Sequence, residues 1–158
     1  MTELSPRSKL ATEMIGAYRS WDLDKIISLR ADDCITTILP KSLEVPPMKN
    51  DEYKKFFSFS MPLFKNFNPK IIDIVDDEKA NKVAVWCEST ADSVVGPYTN
   101  EYVITMHFNE TCDKVVRFYE FVDSHRAKTH FAQLREWSTA QEAAKAAGRR
   151  GSSDSKLT

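Results

Sequence analysis

The spacing of apolar positions changes period once along this chain. In residues 7–20 the apolar positions Leu10, Met14, Ala17 and Tyr18 fall three or four apart, and Trp21 continues the row. That spacing predicts an amphipathic helix. Asp22 is placed to cap a short second helix whose buried side is Ile26, Ile27 and Leu29, and Ala31-Asp32-Asp33 ends it. The β-branched run 34–39 predicts a short strand, and the three prolines within 40–50 predict a loop. A third helix is expected over 51–66, capped by Asn50 or Asp51 and rich in aromatics, with Pro62 kinking or ending its main part.

Beyond it the period falls to two. Strands are predicted over 70–75, 82–92, 100–108 and 114–123, separated by Asp76-Asp77, Gly96-Pro97 and Asn109-Glu110-Thr111. After Ser124, Phe131 and Leu134 sit on a segment expected to fold back as a helix. An Ala-rich helical piece follows over 142–147 with Gly148 as its stop, and 151–158 reads as a floppy tail. Helices first and long strands afterwards predict an α+β domain with its helices on one face of a curved, mostly antiparallel sheet. The expected division is a domain over 1–137 and a helical extension with a tail over 138–158.

Composition narrows the functional classes. The formal net charge is −1 with no long run of one sign, so electrostatic binding to nucleic acid or to an acidic membrane surface is not expected. No apolar run reaches membrane-spanning length, and the first residues lack a basic region followed by an apolar stretch. Cys34, Cys87 and Cys112 are odd in number and widely spaced, which suits buried thiols in a reducing compartment such as the cytoplasm. The three histidines lack metal-site spacing, and there is no Gly-rich phosphate loop, nucleophile elbow or zinc signature, so no cofactor and no metal is expected.

Strand parity sorts the second half into two faces. One carries Val83, Val85, Cys87, Ser89 and Ala91, then Tyr102, Ile104, Met106 and Phe108, then Val116, Phe118, Glu120 and Val122. It is apolar except for small hydroxyls and one carboxylate. The other carries Trp86, Glu88, Glu101, His107, Arg117, Tyr119, Phe121 and Asp123, aromatics beside charges, which suits a subunit interface. Glu120 is the anomaly. A carboxylate between Phe118 and Val122 is costly to bury unless paired or used. Desolvation would raise its pKa into the range of a general acid or base. The plainer alternative is a structural Glu paired with Arg19, Arg126 or another cation.

The segments Trp21-Asp22-Leu23-Asp24 with Leu29-Arg30-Ala31-Asp32-Asp33-Cys34, and Lys114 to Asp123, resemble the early helical segment and the closing strand of the nuclear transport factor 2-like superfamily, over roughly residues 8–135. Leu39-Pro40-Lys41-Ser42-Leu43, Gly96 to Tyr102 and Phe121-Val122-Asp123-Ser124 are similar to its SnoaL-like branch, in particular the fungal isomerases and cyclases that rearrange rings in meroterpenoids. The resemblance implies a cone-shaped α+β barrel with the apolar face lining a hollow cone and the outer face joining two copies in a homodimer. It implies Glu120 as acid or base. His125, just past the last strand, is a candidate proton carrier at the cone mouth, and Tyr18, on the first helix, a candidate hydrogen-bond donor to a substrate oxygen. The resemblance further implies a polycyclic substrate held by Thr36, Ile38, Tyr53, Phe57, Ser60, Met61, Ser89, Tyr102 and Phe118. Against these stand plainer roles: a solvated loop histidine for His125, a core tyrosine for Tyr18, an ordinary aromatic core for the third helix. His130 is expected at the surface and His107 at the interface, and Asp123 faces outward unless a bulge swings it inward. The chain departs from ketosteroid isomerase, whose base and first-helix tyrosine fall at Ile38 and Met14 here. The expected activity is a cofactor-free isomerase or cyclase of a meroterpenoid intermediate. An aromatic polyketide of the xanthone type, or a non-catalytic binding or dimerisation module, are the alternatives.

Overall fold

The computed structural model describes residues 3–154. Helix α1 (Pro6–Ala17) starts where Ser5 accepts a hydrogen bond from the Ser8 N–H at 3.1 Å, with Pro6 in the first turn. Helix α2 (Leu23–Ser28) is capped by Asp22, whose carboxylate accepts the Lys25 N–H at 3.1 Å, as the sequence predicts. Strand β1 (Arg30–Leu39) follows, then helix α3 (Asn50–Ser60). Strands β2 (Phe64–Asp77), β3 (Lys82–Ser93), β4 (Gly96–Phe108) and β5 (Val115–Val122) complete the sheet, and helix α4 (Ser124–Asp154) closes the chain.

The sheet order is β1-β5-β4-β3-β2; only the β1–β5 pair is parallel. Leu10, Met14 and Ile15 of α1 are buried in the same core as Val83, Val85, Met106 and Phe118 of the sheet, which fixes the helical layer on one face. The opposite face keeps Trp86, Val103 and Phe121 exposed. The expected architecture, helices on one side of a curved and mostly antiparallel sheet, is the one observed.

Several boundaries differ from expectation for identifiable reasons. The third helix ends at Ser60 rather than 66. Pro62 sits in a 3₁₀ turn (Met61–Leu63), and Phe64 already opens β2. Its N-terminus is tied by Glu52, which accepts the Lys49 N–H at 2.8 Å, and the Asn50 side chain instead donates to the Ala31 carbonyl at 2.9 Å. Strand β1 begins at Arg30, four residues early. Val115, not Val116, is fully buried, because the β4–β5 register slips between His107 and Phe108 and reverses the parity there. Gly148 does not stop α4. It is embedded among Ala143, Ala144, Ala146 and Ala147, whose helix propensity outweighs its cost of about 1 kcal/mol. Residues 155–158 of the expected tail lie outside the described residues.

Candidate active site

Between the sheet and the helices lies a cavity of about 840 Å³. Ile15, Tyr18 and Trp21 line it from the N-terminal layer, Phe57 and Ser60 from α3, Phe131 and Leu134 from α4, and Ile38, Ser89, Tyr98, Tyr102, Ile104 and Glu120 from the sheet. Phe56 and Phe59 also line it while being 42% and 61% exposed, so the cavity reaches solvent beside α3.

Glu120 rises into this space from β5. Its cross-strand neighbours are Ile38 on β1 and Ile104 on β4, and its same-face neighbours are Phe118 and Val122. No described residue hydrogen-bonds its carboxylate, and its remaining accessible surface opens into the cavity. Burial pushes its pKa up to about 7, opposed by the cation of Arg30. Its charge is felt by Tyr18, Tyr53, Tyr98 and Tyr102, which places it between two hydroxyl clusters.

The first cluster is built on Arg30, which is 3% exposed. Its guanidinium lies 4.1 Å from the Tyr53 ring centroid and 4.7 Å from that of Phe118, and it donates to the Thr36 and Tyr18 hydroxyls, the latter at 3.1 Å. The Tyr18 and Tyr53 oxygens are 2.5 Å apart. Proton accounting orients this bond. Tyr53 is fully buried and Tyr18 is the sole partner its hydroxyl has among the described residues, so its proton must go to Tyr18. Arg30 has no acceptor, so it also donates to Tyr18. Tyr18 therefore accepts twice and has its own proton free to donate into the cavity. Burial, first of all, raises the pKa of Tyr18, so it stays a neutral donor.

The second cluster runs along β3 and β4. Asn100 donates to the Tyr98 hydroxyl at 2.8 Å, Tyr98 and Tyr102 hydroxyls lie 3.4 Å apart, and Tyr102 is 2.9 Å from Ser89. Burial holds both tyrosines protonated. Cys87 also lines the cavity. Burial and then the Glu120 charge push its thiol up to about 12, so it is not a nucleophile at neutral pH.

Of the residues expected from sequence, the structure brings Glu120, Tyr18, Ile38, Phe57, Ser60, Ser89 and Tyr102 together around the cavity. It does not bring the others there. Thr36 is buried behind the wall and taken by Arg30. Tyr53 and Phe118 sandwich that guanidinium, Tyr53 acting through its bond to Tyr18. Met61 sits in the turn after α3, where the helix's early end rotates it off the cavity wall. His125 is exposed in the first turn of α4, where its N–H caps onto Asp123 at 3.0 Å. It lines a separate shallow depression of about 220 Å³. Asp123 is turned to that helix start. His130 is buried rather than at the surface, packed on Tyr98 with ring centroids 4.7 Å apart. The cation facing Glu120 is neither Arg19 nor Arg126 but Arg30.

Sequence reading missed Arg30, Tyr98 and Trp21 as parts of the site. The signals were present. Arg30 shares parity with Cys34, Thr36 and Ile38, all buried, once the strand is extended back. Tyr98 shares parity with Asn100, Tyr102 and Ile104. Trp21 is held at positive φ, with its ring centroid 4.5 Å from that of Phe67 and its buried indole N–H without a partner among the described residues.

No protein-family model matches the chain. Individual relatives do. It is 30% identical over 132 residues to the isomerase prhC of Penicillium brasilianum, covering 80% of this chain and 76% of that protein. It is 31% identical over 112 residues to the monooxygenase nsrQ of Aspergillus novofumigatus, covering 71% and 74%. Among solved structures, the BvnE pinacolase of Penicillium brevicompactum superposes with a TM-score of 0.79 at 26% identity, covering 84% and 96%. The fold and cavity define a SnoaL-like cone of the nuclear transport factor 2-like superfamily, and the chain belongs to that family's fungal secondary-metabolism branch.

Proposed function

We propose that this protein is a cofactor-free isomerase or cyclase acting by acid–base chemistry on a polycyclic, oxygen-bearing intermediate of a meroterpenoid pathway. The observation that carries the proposal is Glu120: a carboxylate with no hydrogen bond from the described residues, lifted to about 7, inside a large apolar cavity and flanked by neutral tyrosine donors. The carboxylate removes a proton from a substrate hydroxyl or from a carbon beside a carbonyl. The electron pair moves into the ring system and a bond migrates or a double bond shifts. Negative charge collecting on the carbonyl oxygen is met by the free proton of Tyr18 or by Tyr102. Protonated Glu120 then returns the proton at another position, so the product is an isomer of the substrate. Arg30 holds Tyr18 in place and limits the rise of the Glu120 pKa.

Among the described residues, no group of three or more His, Cys, Asp or Glu is arranged to hold a metal ion. An open cavity with a carboxylate inside favours an enzyme over a binding module with a filled cone. Two copies would join through the outer sheet face, where Trp86, Val103 and Phe121 are 45%, 47% and 54% exposed. No helix among the described residues is long and apolar enough to cross a membrane. The three free cysteines suit the cytoplasm.

The test is to incubate the purified protein with the intermediate that accumulates when its gene is deleted. A product of unchanged mass is expected, and its formation is expected to fail in Glu120→Gln. A product one oxygen atom heavier would favour the reading suggested by the name of the nsrQ relative.

A further inference from the structure

The cavity's charges are divided between its depth and its rim. Deep in the cavity the sole carboxylate among the lining residues is Glu120, on the sheet. At the helices the lining residues include three cations, Lys55 on α3 and Lys128 and Arg135 on α4, all exposed. Among the described residues none of the three is in an ion pair with a carboxylate. On α4 the positions a turn away from Lys128 and Arg135 hold Ser124, His125, Phe131, Ala132, Ser138 and Thr139, none of them acidic; on α3, Asp51 and Glu52 lie a turn before Lys55 without an ion pair to it, Glu52 accepting the Lys49 N–H. This concentration stands out in a chain whose basic and acidic residues number 22 and 23.

Phe56 and Phe59, on α3 with Lys55, are exposed and line the same cavity. An apolar opening whose lining includes three cations outside any ion pair suits an apolar ring system that carries negative charge. From these observations we propose that the substrate is a polycyclic anion, bound with its charged group at Lys55, Lys128 and Arg135 and its neutral, reacting end at Glu120. This orientation also keeps the substrate's charge away from the Glu120 carboxylate, where it would oppose ionisation of the base. The proposal rests on the reading of the cavity as the substrate site, and it adds the charge class and the direction of binding.

The test uses two fluorescent probes with one ring system, anilinonaphthalene sulfonate and the neutral phenylnaphthylamine that lacks the sulfonate. The full chain is titrated with each, and each is used to displace the other. Wild-type protein is expected to bind the anion about tenfold more tightly, from three exposed contacts of modest strength. The preference is expected to shrink with added salt. Lys55→Gln, Lys128→Gln, Arg135→Gln, three surface changes in one chain, should abolish it and leave binding of the neutral probe unchanged. Glu120→Gln should leave it intact. Equal affinities, a preference that survives in the triple variant, or failure of the probes to compete would overturn the proposal and leave the acid–base reading standing. Binding of neither probe would overturn the proposal together with the cavity reading.

Discussion

Replacing Glu120 by Gln should make the protein more stable in a pH-dependent way. The carboxyl's pKa is 4.5 ordinarily and about 7 in the fold. The folded state therefore holds a proton that the unfolded state has already released, and stability falls as pH rises between these two values. Below 4.5 both states are protonated and the cost disappears; above 7 it is complete, at about 3 kcal/mol. Gln resembles the protonated carboxyl in shape and charge, so Arg30 has the same surroundings in the variant as in the acid form of the wild type. The advantage of Glu120→Gln over wild type should thus grow by about 2–3 kcal/mol between pH 5 and pH 8. For a chain of this size that corresponds to roughly 5–10 °C in Tm. Urea unfolding at both pH values, or thermal melts followed by circular dichroism, gives the difference directly. A pH-independent difference, or a variant that loses ground to wild type as pH rises, would refute the burial argument for Glu120.

Other consequences follow from the same geometry. Tyr18→Phe removes the donor aimed into the cavity and leaves the Tyr53 proton without an acceptor. Turnover should fall about 10²–10³-fold with KM little changed, and stability by about 1–3 kcal/mol, checked by steady-state kinetics and urea unfolding. Arg30→Met removes the cation that opposes desolvation of Glu120, so the midpoint of the acid limb of kcat/KM should move above 7. An unmoved midpoint would show that Arg30 does not set the base. Wild type is expected to sediment as a dimer at micromolar concentration, and Trp86→Asp with Tyr119→Asp, which places charge on the outer sheet face, should give a monomer. Turnover should persist after dialysis against a chelator, measured with the same substrate; its loss would overturn the cofactor-free reading.

The fold was legible because two periods carry it: helical spacing through Leu10, Met14 and Tyr18, and a stronger alternation along residues 83–91 and 102–108. The cavity acid was legible because Glu120 interrupts an otherwise apolar strand face. What was not legible depended on pairing. Arg30 sits next to Ala31-Asp32-Asp33, whose polarity reads as a loop, and only pairing with β5 draws it into β1 as a buried residue. Val116 was misplaced because a register slip leaves no mark in one strand's own sequence. His125 was expected at the cone mouth from its position just after a strand. The helix that starts at Ser124 turns it to the outside, and Asp123 caps that turn. The orientation of the Tyr18 hydroxyl needed the position of Tyr53, thirty-five residues away.

The most direct test of Glu120 as the working base is the pH dependence of kcat/KM with the pathway intermediate, for wild type and Glu120→Gln side by side. Wild type should lose about tenfold per pH unit well below neutrality, level off above a midpoint near 7, and exceed a pH-independent Glu120→Gln by about 10²–10⁴-fold on the plateau. A wild-type profile flat from pH 5 to pH 8, or a Glu120→Gln turnover within about threefold of wild type, would contradict it.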